Sequence, residues 1–460
     1  MRVVCQPGES VQFHSFVPER FASAVRWSAT GGTIGTSGLY VAPAEPGSYV
    51  VRASIGDGLD TNATVRVVPR QGQTTDTADQ FVDSIGINVH LHYDDTVYRQ
   101  NFALVRTRLV ELGVRHVRDG MVDTTWQEYY DRHNELGRAG IKGIFIAAAT
   151  APESLLLEYP TRVADAFEGY DGPNEYDRSD NPQWSDTVRR LLERFQAVKH
   201  VPALAGFPVY GPSLTTEQAY DTLGDVSAAI DSGNMHNYFS SYNPGTGGWG
   251  DNGFGSIAWN LGVVRRSSGQ KPIVSTETGY FTDPSMPDAV PDAVATEYMP
   301  RLLLEQFRQG IARTYIYELA DERAQHNGLG LLTADGTPKG SFYAVAELMK
   351  LLANPGAAYD AAPLRYTVEG GTPELRALAF HKRNGHYYLL MWLETPGYDH
   401  ASGRVLETPA QTVRVTIGSA VRHIATYRWQ PDGHVAQIAG TGSLPAVTVT
   451  DTLQAFEFAP

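Results

Sequence analysis

Along the first 70 residues apolar and polar positions alternate in short runs, VRWSAT, GLYVAP, GSYVVRASI and TNATVRVVP, broken by turn residues and without three-to-four spacing. The pattern predicts a small β-sandwich over 1–70, with Trp27 and Tyr40 in its core or at a strand edge. Cys5 is read as a free thiol in a terminal strand, and as the single cysteine it excludes an internal disulfide. A polar linker, PRQGQTTDTADQ, follows, and then the period changes. From Phe81 to about Leu352, β-rich runs (SIGINVHLH, VRHVRDG, KGIFIAA, ADAFEG, ALAGFPVYG, GNMHNYF, PIVSTETG, ARTYIYEL) alternate with longer segments. Among those segments, QNFALVRTRLVELG, TTWQEYYDRHNELGRAG, SDTVRRLLERFQAVKH, ATEYMPRLLLEQFRQG and SFYAVAELMKLLAN carry apolar residues on one helical face.

Eight strand–helix units over roughly 270 residues have the size and rhythm of a (β/α)8 TIM barrel, here expected at 77–352. A doubly wound sheet fits less well, because no Gly-rich fingerprint follows the first strand. From Ala361 alternation returns in RALAFHKRNGHYYLLMWLE, QTVRVTIG, RHIATYRWQPDG and PAVTVTDTLQAFEFAP, with RNG as a hairpin turn. The expectation is a multidomain α/β protein whose barrel is flanked by the N-terminal sandwich and by a second β-sandwich over 353–460, packed on it. The stretch WSATGGTIGTSGLYVAPAEPGSYVVRAS resembles the bacterial Ig-like modules of secreted and cell-surface proteins, which implies a spacer fold and no chemistry.

A hydrophobic fraction of 42% and a charged fraction of 19% suit a chain that buries a sizeable core. The net charge of −14, with no Lys/Arg cluster, argues against nucleic acid or an anionic membrane as partner, since nothing would neutralise phosphates. A neutral substrate fits better. No apolar run is long enough to span a membrane, and MRVVCQPGES lacks the regions of a signal peptide. A secreted or cell-surface monomer is expected, its leader absent from this sequence.

In a barrel the residues just past each strand form the active site. They are His90 and His92 after the first strand, Arg118 and Asp119 after the second, and Asn174 and Glu175 after the fourth. The sixth brings His236 and Tyr238, the seventh Glu277, and the eighth Glu318 and Asp321. Two glutamates thus converge on one mouth. Acetal hydrolysis needs such a pair, one protonated carboxyl to assist the leaving oxygen and one ionised carboxylate beside the anomeric carbon. Their separation decides whether configuration is retained or inverted.

GPNE after the fourth strand, HNY at the sixth and STETGY at the seventh resemble the clan A glycoside hydrolases. The resemblance implies a retaining enzyme without metal or cofactor, acting on a β-linked oligo- or polysaccharide. It implies Glu175 as acid/base, Asn174 as partner of the sugar 2-hydroxyl and Glu277 as nucleophile. Tyr238 resembles the tyrosine that touches the nucleophile, His236 the histidine before it, and Arg118 the arginine of the second strand. The end of the eighth strand, YIYELADE, departs from the clan's usual Trp, so Tyr317 or Glu318 is expected to line the sugar site.

Other readings stand beside these. Arg118 bridges to Asp119 or Asp123 if it has no site role, and His90 and His92 either enter the mouth or merely cap it. The His-x-His spacing suits a metal, but no third His or Cys ligand is evident. Asp171 and Asp177 are read as loop residues. The long aromatic stretch FSSYNPGTGGWGDNGFGSIAWN is read as a lid or subsite loop. In it Trp249 is expected to touch ligand, because flanking glycines leave it little core to join; Tyr242 and Trp259 stack on sugar or anchor the loop. Trp126 and Trp184 are assigned to packing. Alternatives to hydrolysis are transglycosylation on the same site, or a non-catalytic carbohydrate-binding surface protein.

Overall fold

The structure is a computed structural model that describes residues 2–5, 9–15, 17, 23–43, 47–56, 59–67, 76–250, 252–418, 420–444 and 446–460. Most of the polar linker, residues 68–75, lies outside the described residues. The N-terminal strands form two sheets. One orders Arg2–Cys5, Leu59–Val67, Gly47–Ile55 and Val25–Ala29; the other orders Ser10–Gln12, Leu39–Val41 and Thr33–Ile34. Alternation along Gly47–Ile55 and Leu59–Val67 delivers Val51, Val65 and Val67 to a core with Phe13 and the fully buried Tyr40. Trp27 packs at the edge of this core, its ring 6.4 Å from that of Phe13, and the thiol of Cys5 is buried and free.

Seven of the eight expected barrel strands form one curled, wholly parallel sheet: the first (Ile85–Asn88), second (His116–Gly120), third (Lys142–Ile146), fourth (Phe167–Asp171), sixth (Gly233–His236), seventh (Ile273–Thr278) and eighth (Arg313–Ile316). Their spatial order is fourth, third, second, first, eighth, seventh, sixth. The fifth candidate, ALAGFPVYG, makes no strand, which corrects the expected closed eight-stranded barrel. Its residues join the two sheet edges only through isolated parallel bridges, Tyr170 to Val209, Tyr210 to Ser232 and Asn174 to Ser213. Pro208 and Pro212 have no N–H to give, so a continuous ladder cannot run through this segment.

The expected helices form as Phe102–Leu112, Gln127–Arg138, Trp184–Lys199, Asp292–Arg308 and Gly340–Leu352. The first ends on Gly113 in the left-handed region, as a helix stop requires. The aromatic stretch after the sixth strand is shorter as a loop than its composition suggests. Ser256 caps a helix over Ile257–Ser268, and Trp259 is buried in its first turn.

Inward-facing side chains fill the sheet in layers. At the N-terminal ends of the strands, His116 sits between Glu168 (2.8 Å) and Asp83 (3.2 Å), with Arg313 reaching the same two carboxylates. Above them Ile144, Tyr210, Val274 and Tyr315 form an apolar plug. The polar layer that carries the candidate site lies beyond it, at the C-terminal ends.

The C-terminal region is a sandwich of a six-stranded and a three-stranded sheet around Leu389, Met391, Val413, Val449 and Phe456. The strand Tyr387–Leu393, YYLLMWL, is buried along its whole length because its other face packs on the barrel, where Leu390 and Trp392 join the barrel's own core. A run without alternation is what burial on both faces demands. Asp76–Thr77, just ahead of the barrel, pairs parallel with Leu375–His381 of this six-stranded sheet, and Phe81, Phe307 and Phe380 meet between the two regions.

Glu394 ends the strand Tyr387–Leu393 inside this junction. It accepts hydrogen bonds from Arg301 Nη2 (2.7 Å), Trp392 Nε1 (2.7 Å), Asn243 Nδ2 (2.7 Å) and the Gly245 amide (3.0 Å). Both charges of the pair are fully buried. Burial alone would push the Glu394 carboxyl up, but the Arg301 guanidinium outweighs it and holds it below the usual range. Replacing Glu394 with Ala strands the Arg301 charge in the interior, and a loss of about 3–5 kcal/mol is expected in denaturant unfolding. A loss under about 1 kcal/mol, the scale of an exposed pair, would show that the junction does not depend on it.

Candidate active site

Arg118, on the second strand, is buried to 1% exposure. Every face of its guanidinium has an acceptor. Nε donates to Asp171 Oδ2 (2.6 Å), Nη1 to Glu277 Oε1 (2.8 Å) and Asn88 Oδ1 (2.9 Å), and Nη2 to Asn174 Oδ1 (2.7 Å). Burial alone would lower its pKa, yet the Asp171 and Glu277 carboxylates raise it above the ordinary arginine value. The reading of Arg118 as a bridge to Asp119 or Asp123 is replaced by this set. Asp171, read from sequence as a loop residue, closes the fourth strand in full burial, and Asn234 Nδ2 donates to its second oxygen (3.0 Å).

Glu277 leaves the seventh strand at a register shift and is 8% exposed. Besides Arg118 on Oε1, it accepts on Oε2 from the Tyr238 hydroxyl (3.1 Å), and His236 Nδ1 stands 3.4 Å from the same atom. Burial, and then the Glu277 charge, hold the Tyr238 phenol well above its usual pKa, so it stays a donor.

Glu175 arrives differently. After the fourth strand Gly172 passes so close to Gly211 and Pro212 that a Cβ would stand 2.6 Å from their backbone. Pro173 turns the chain, the Glu175 amide is fixed on Ser213 O (3.0 Å), and Glu175 itself adopts φ +47°. A non-glycine residue in that region costs roughly 1–2 kcal/mol. The turn aims the carboxylate at His236, whose Nδ1 lies 3.0 Å from Oε1, while Arg178 reaches Oε2 from the solvent side (3.1 Å). The His236 hydrogen bond pulls the Glu175 carboxyl down to about 2, against the opposing effect of burial. Facing oxygens of Glu175 and Glu277 and the His236 nitrogen lie within 4.8 Å of one another.

The tautomer of His236 follows from its surroundings. The Asn234 amide donates to Asp171, so its carbonyl accepts the Thr276 hydroxyl proton (2.8 Å), and Thr276 Oγ1 must then accept from His236 Nε2–H (3.1 Å). That leaves Nδ1 facing the two carboxylates of Glu175 and Glu277. Asn88, Asn234 and Thr276 were not singled out in the sequence, and Asp171 was read there only as a loop residue. Their signal was polar residues at inward positions of otherwise apolar strands, readable only once the register is known.

His90 and His92 both enter the mouth region. His90 Nε2 stands 3.5 Å from Glu318 Oε2 and 3.9 Å from Glu322 Oε1, and burial keeps its pKa down to about 4. Glu318 is fully buried, accepts from the Tyr98 hydroxyl (3.0 Å), and is raised well above the carboxylate range by burial and then by Glu322. His92 Nδ1 lies 3.4 Å from Asp119 Oδ1, which His133 also approaches at 3.2 Å through the other oxygen. Asp177 is bound to Thr215 and stays outside the mouth. In the loop after the sixth strand, Trp249 is half-buried, stacks on Tyr242 (5.0 Å, 11°), and lies so close to Gly255 that a Cβ there would collide with its ring. Tyr242 and Phe254 are 43% and 44% exposed.

No protein-family model and no curated protein matches the chain. Solved structures do. A family 39 glycoside hydrolase from the gut symbiont Bacteroides cellulosilyticus WH2 superposes with a TM-score of 0.55 at 15% identity, covering 99% of this chain and 98% of that one. A glucosidase from Croceicoccus marinus gives 0.53 at 12% identity over 85% and 97%. An arabinofuranosidase gives 0.57 at 10% identity over 85% and 98%. At such identities the likeness is one of fold.

The Glu175–His236 hydrogen bond makes a prediction. With His236 replaced by Asn, the partner that holds the Glu175 carboxyl down is lost, and its pKa rises toward the ordinary carboxylate range. The limb of the kcat/KM profile set by Glu175 is expected to move to higher pH. An unmoved or lowered limb would show that His236 does not hold the carboxyl down.

Proposed function

We propose that the chain is a retaining glycoside hydrolase that cleaves a β-glycosidic bond of an oligo- or polysaccharide by double displacement. The observation that carries this is the Glu175–Glu277 pair, with facing oxygens no more than 4.8 Å apart and different partners on each. Retaining enzymes hold their carboxyls about 5–5.5 Å apart, whereas inversion needs about 6.5–9.5 Å to admit a water. The fold shared with glycoside hydrolases supports the same class.

Glu277 attacks the anomeric carbon while the C–O bond to the leaving group breaks. Its donors, Arg118 and Tyr238, are already in place to stabilise a carboxylate charge, so no reorganisation accompanies the step. A proton carried by Glu175 passes to the leaving oxygen. Glu175 then takes a proton from water, which attacks the glycosyl-enzyme ester and releases Glu277. Asn174, its carbonyl tied to Arg118, presents its amide nitrogen to the sugar 2-hydroxyl. Tyr242 and Phe254 form an aromatic lip for further sugar units, with Trp249 as its support. His92 and Glu318 belong to the glycon side.

The regions 1–70, 77–352 and 353–460 serve, in this reading, as an Ig-like spacer, the catalytic barrel and a sandwich that braces it, in a secreted or cell-surface monomer. Replacing Glu277 with Ala should lower kcat on an aryl β-glycoside by about 10⁴-fold or more, as loss of a nucleophile does. Azide should then restore part of the turnover and give the inverted glycosyl azide. Normal activity in that variant, or wild-type hydrolysis with inversion, would defeat the proposal.

A further inference from the structure

Two places among the described residues bring three His, Asp or Glu ligand atoms within 4.8 Å of one another. One is Glu175, His236 and Glu277, which the proposed reaction already uses and whose atoms have protein partners. The other is His90, Glu318 and Glu322, all buried. It is built from the end of the first strand and the segment that follows the eighth, and the reaction assigns it no proton to move.

We infer that His90 Nε2, Glu318 and Glu322 Oε1 form a binding site for a divalent transition-metal ion, zinc or manganese. His90 Nε2 is buried without a hydrogen bond and faces both carboxylates, at 3.5 and 3.9 Å. Glu318 Oε1 is likewise buried without a partner in a side chain of 0% exposure. Two unsatisfied polar atoms in one buried cluster are a cost that a ligand relieves. For arms of about 2.1 Å, a tetrahedral zinc ion sets its ligand atoms about 3.4 Å apart. The observed spacings need to contract by only a few tenths of an ångström for the two pairs that include His90.

The donor set selects the ion. One imidazole nitrogen with two carboxylates suits zinc or manganese, whereas calcium and magnesium favour oxygen alone and thiolate-seeking ions find no sulfur here. Two carboxylates also balance the charge of a dication. The ligands are held in place by their neighbours. The His90 ring stacks on Tyr93 (4.5 Å, 9°) and meets the edges of Tyr98 and Tyr317, Tyr98 fixes Glu318 Oε2, and Gln325 Nε2 holds Glu322 Oε1 (2.9 Å). An ion here ties the first strand to the turn Glu322–Gln325 and stiffens the wall of Tyr93 and Tyr317 beside the proposed glycon site.

The test uses the full chain without a histidine tag, stripped by chelator and dialysed against zinc or manganese, with metal content read by mass spectrometry and the thermal midpoint by scanning. One equivalent per chain is expected for the wild type and for Glu175→Gln, with a raised midpoint. Glu322→Gln and His90→Asn, if folded by circular dichroism, should bind at least tenfold more weakly and lose the shift. Absence of binding in the wild type, full binding in Glu322→Gln, or loss of the ion in Glu175→Gln would overturn the inference. Binding is read without turnover, so its failure and that of the hydrolase proposal are separate results.

Discussion

The Arg118 guanidinium is the interaction on which the mouth of the sheet depends. Its four short contacts reach the first strand through Asn88, the fourth through Asp171 and Asn174, and the seventh through Glu277. Charge-assisted bonds of this kind contribute roughly 1.5–3 kcal/mol each, but only while every partner is present, because the desolvated cation has no water to fall back on. A planar fork also fixes angles. It sets where Glu277 stands relative to Asn174, one residue from Glu175, and so links the positions of two carboxylates that the chain separates widely. Lysine could supply the charge but not the fork.

The same logic recurs at a larger scale in Glu394. A residue of the C-terminal sandwich accepts from a barrel helix through Arg301 and from the loop after the sixth strand through Asn243 and Gly245. The loop that carries Tyr242 and Trp249 is therefore anchored by a different region of the chain from the strands that carry Glu175 and Glu277. Loops over a barrel mouth are ordinarily the least stable part of the structure. A buried ion pair at the loop's root keeps its two stacked rings in one place. The continuous apolar strand Tyr387–Leu393 is what makes that burial possible, by sealing the junction on both sides.

Much of this was legible in the chain. Alternation marked the two β regions, the switch to amphipathic segments marked the barrel, and the strand ends located Arg118, Glu175, His236, Tyr238 and Glu277 in one mouth. What failed, failed for identifiable reasons. ALAGFPVYG has the apolar content of a strand, but Pro208 within it and Pro212 just after it interrupt the ladder, and the periodicity of side chains says nothing about missing backbone donors. Asp171 read as a loop charge because a buried carboxylate is rare without a partner, and its partner lies 53 positions away.

Glu175 and Glu277 show how one residue type is given two chemistries. Glu277 extends from a strand at a register shift and meets an arginine and a phenol, both donors to its carboxylate. Glu175 stands on a strained left-handed residue after a Gly-Pro turn and meets an imidazole. The strain is stored where a carboxylate must approach a histidine that the next strands present, and Ser213, one residue past Pro212, is the atom pair that holds it. The interrupted fifth segment is thus more than a defect in the sheet. Its prolines interrupt the backbone's pairing as a strand, and what remains at Ser213 is an isolated bridge to Asn174 whose carbonyl accepts from the Glu175 amide and fixes it.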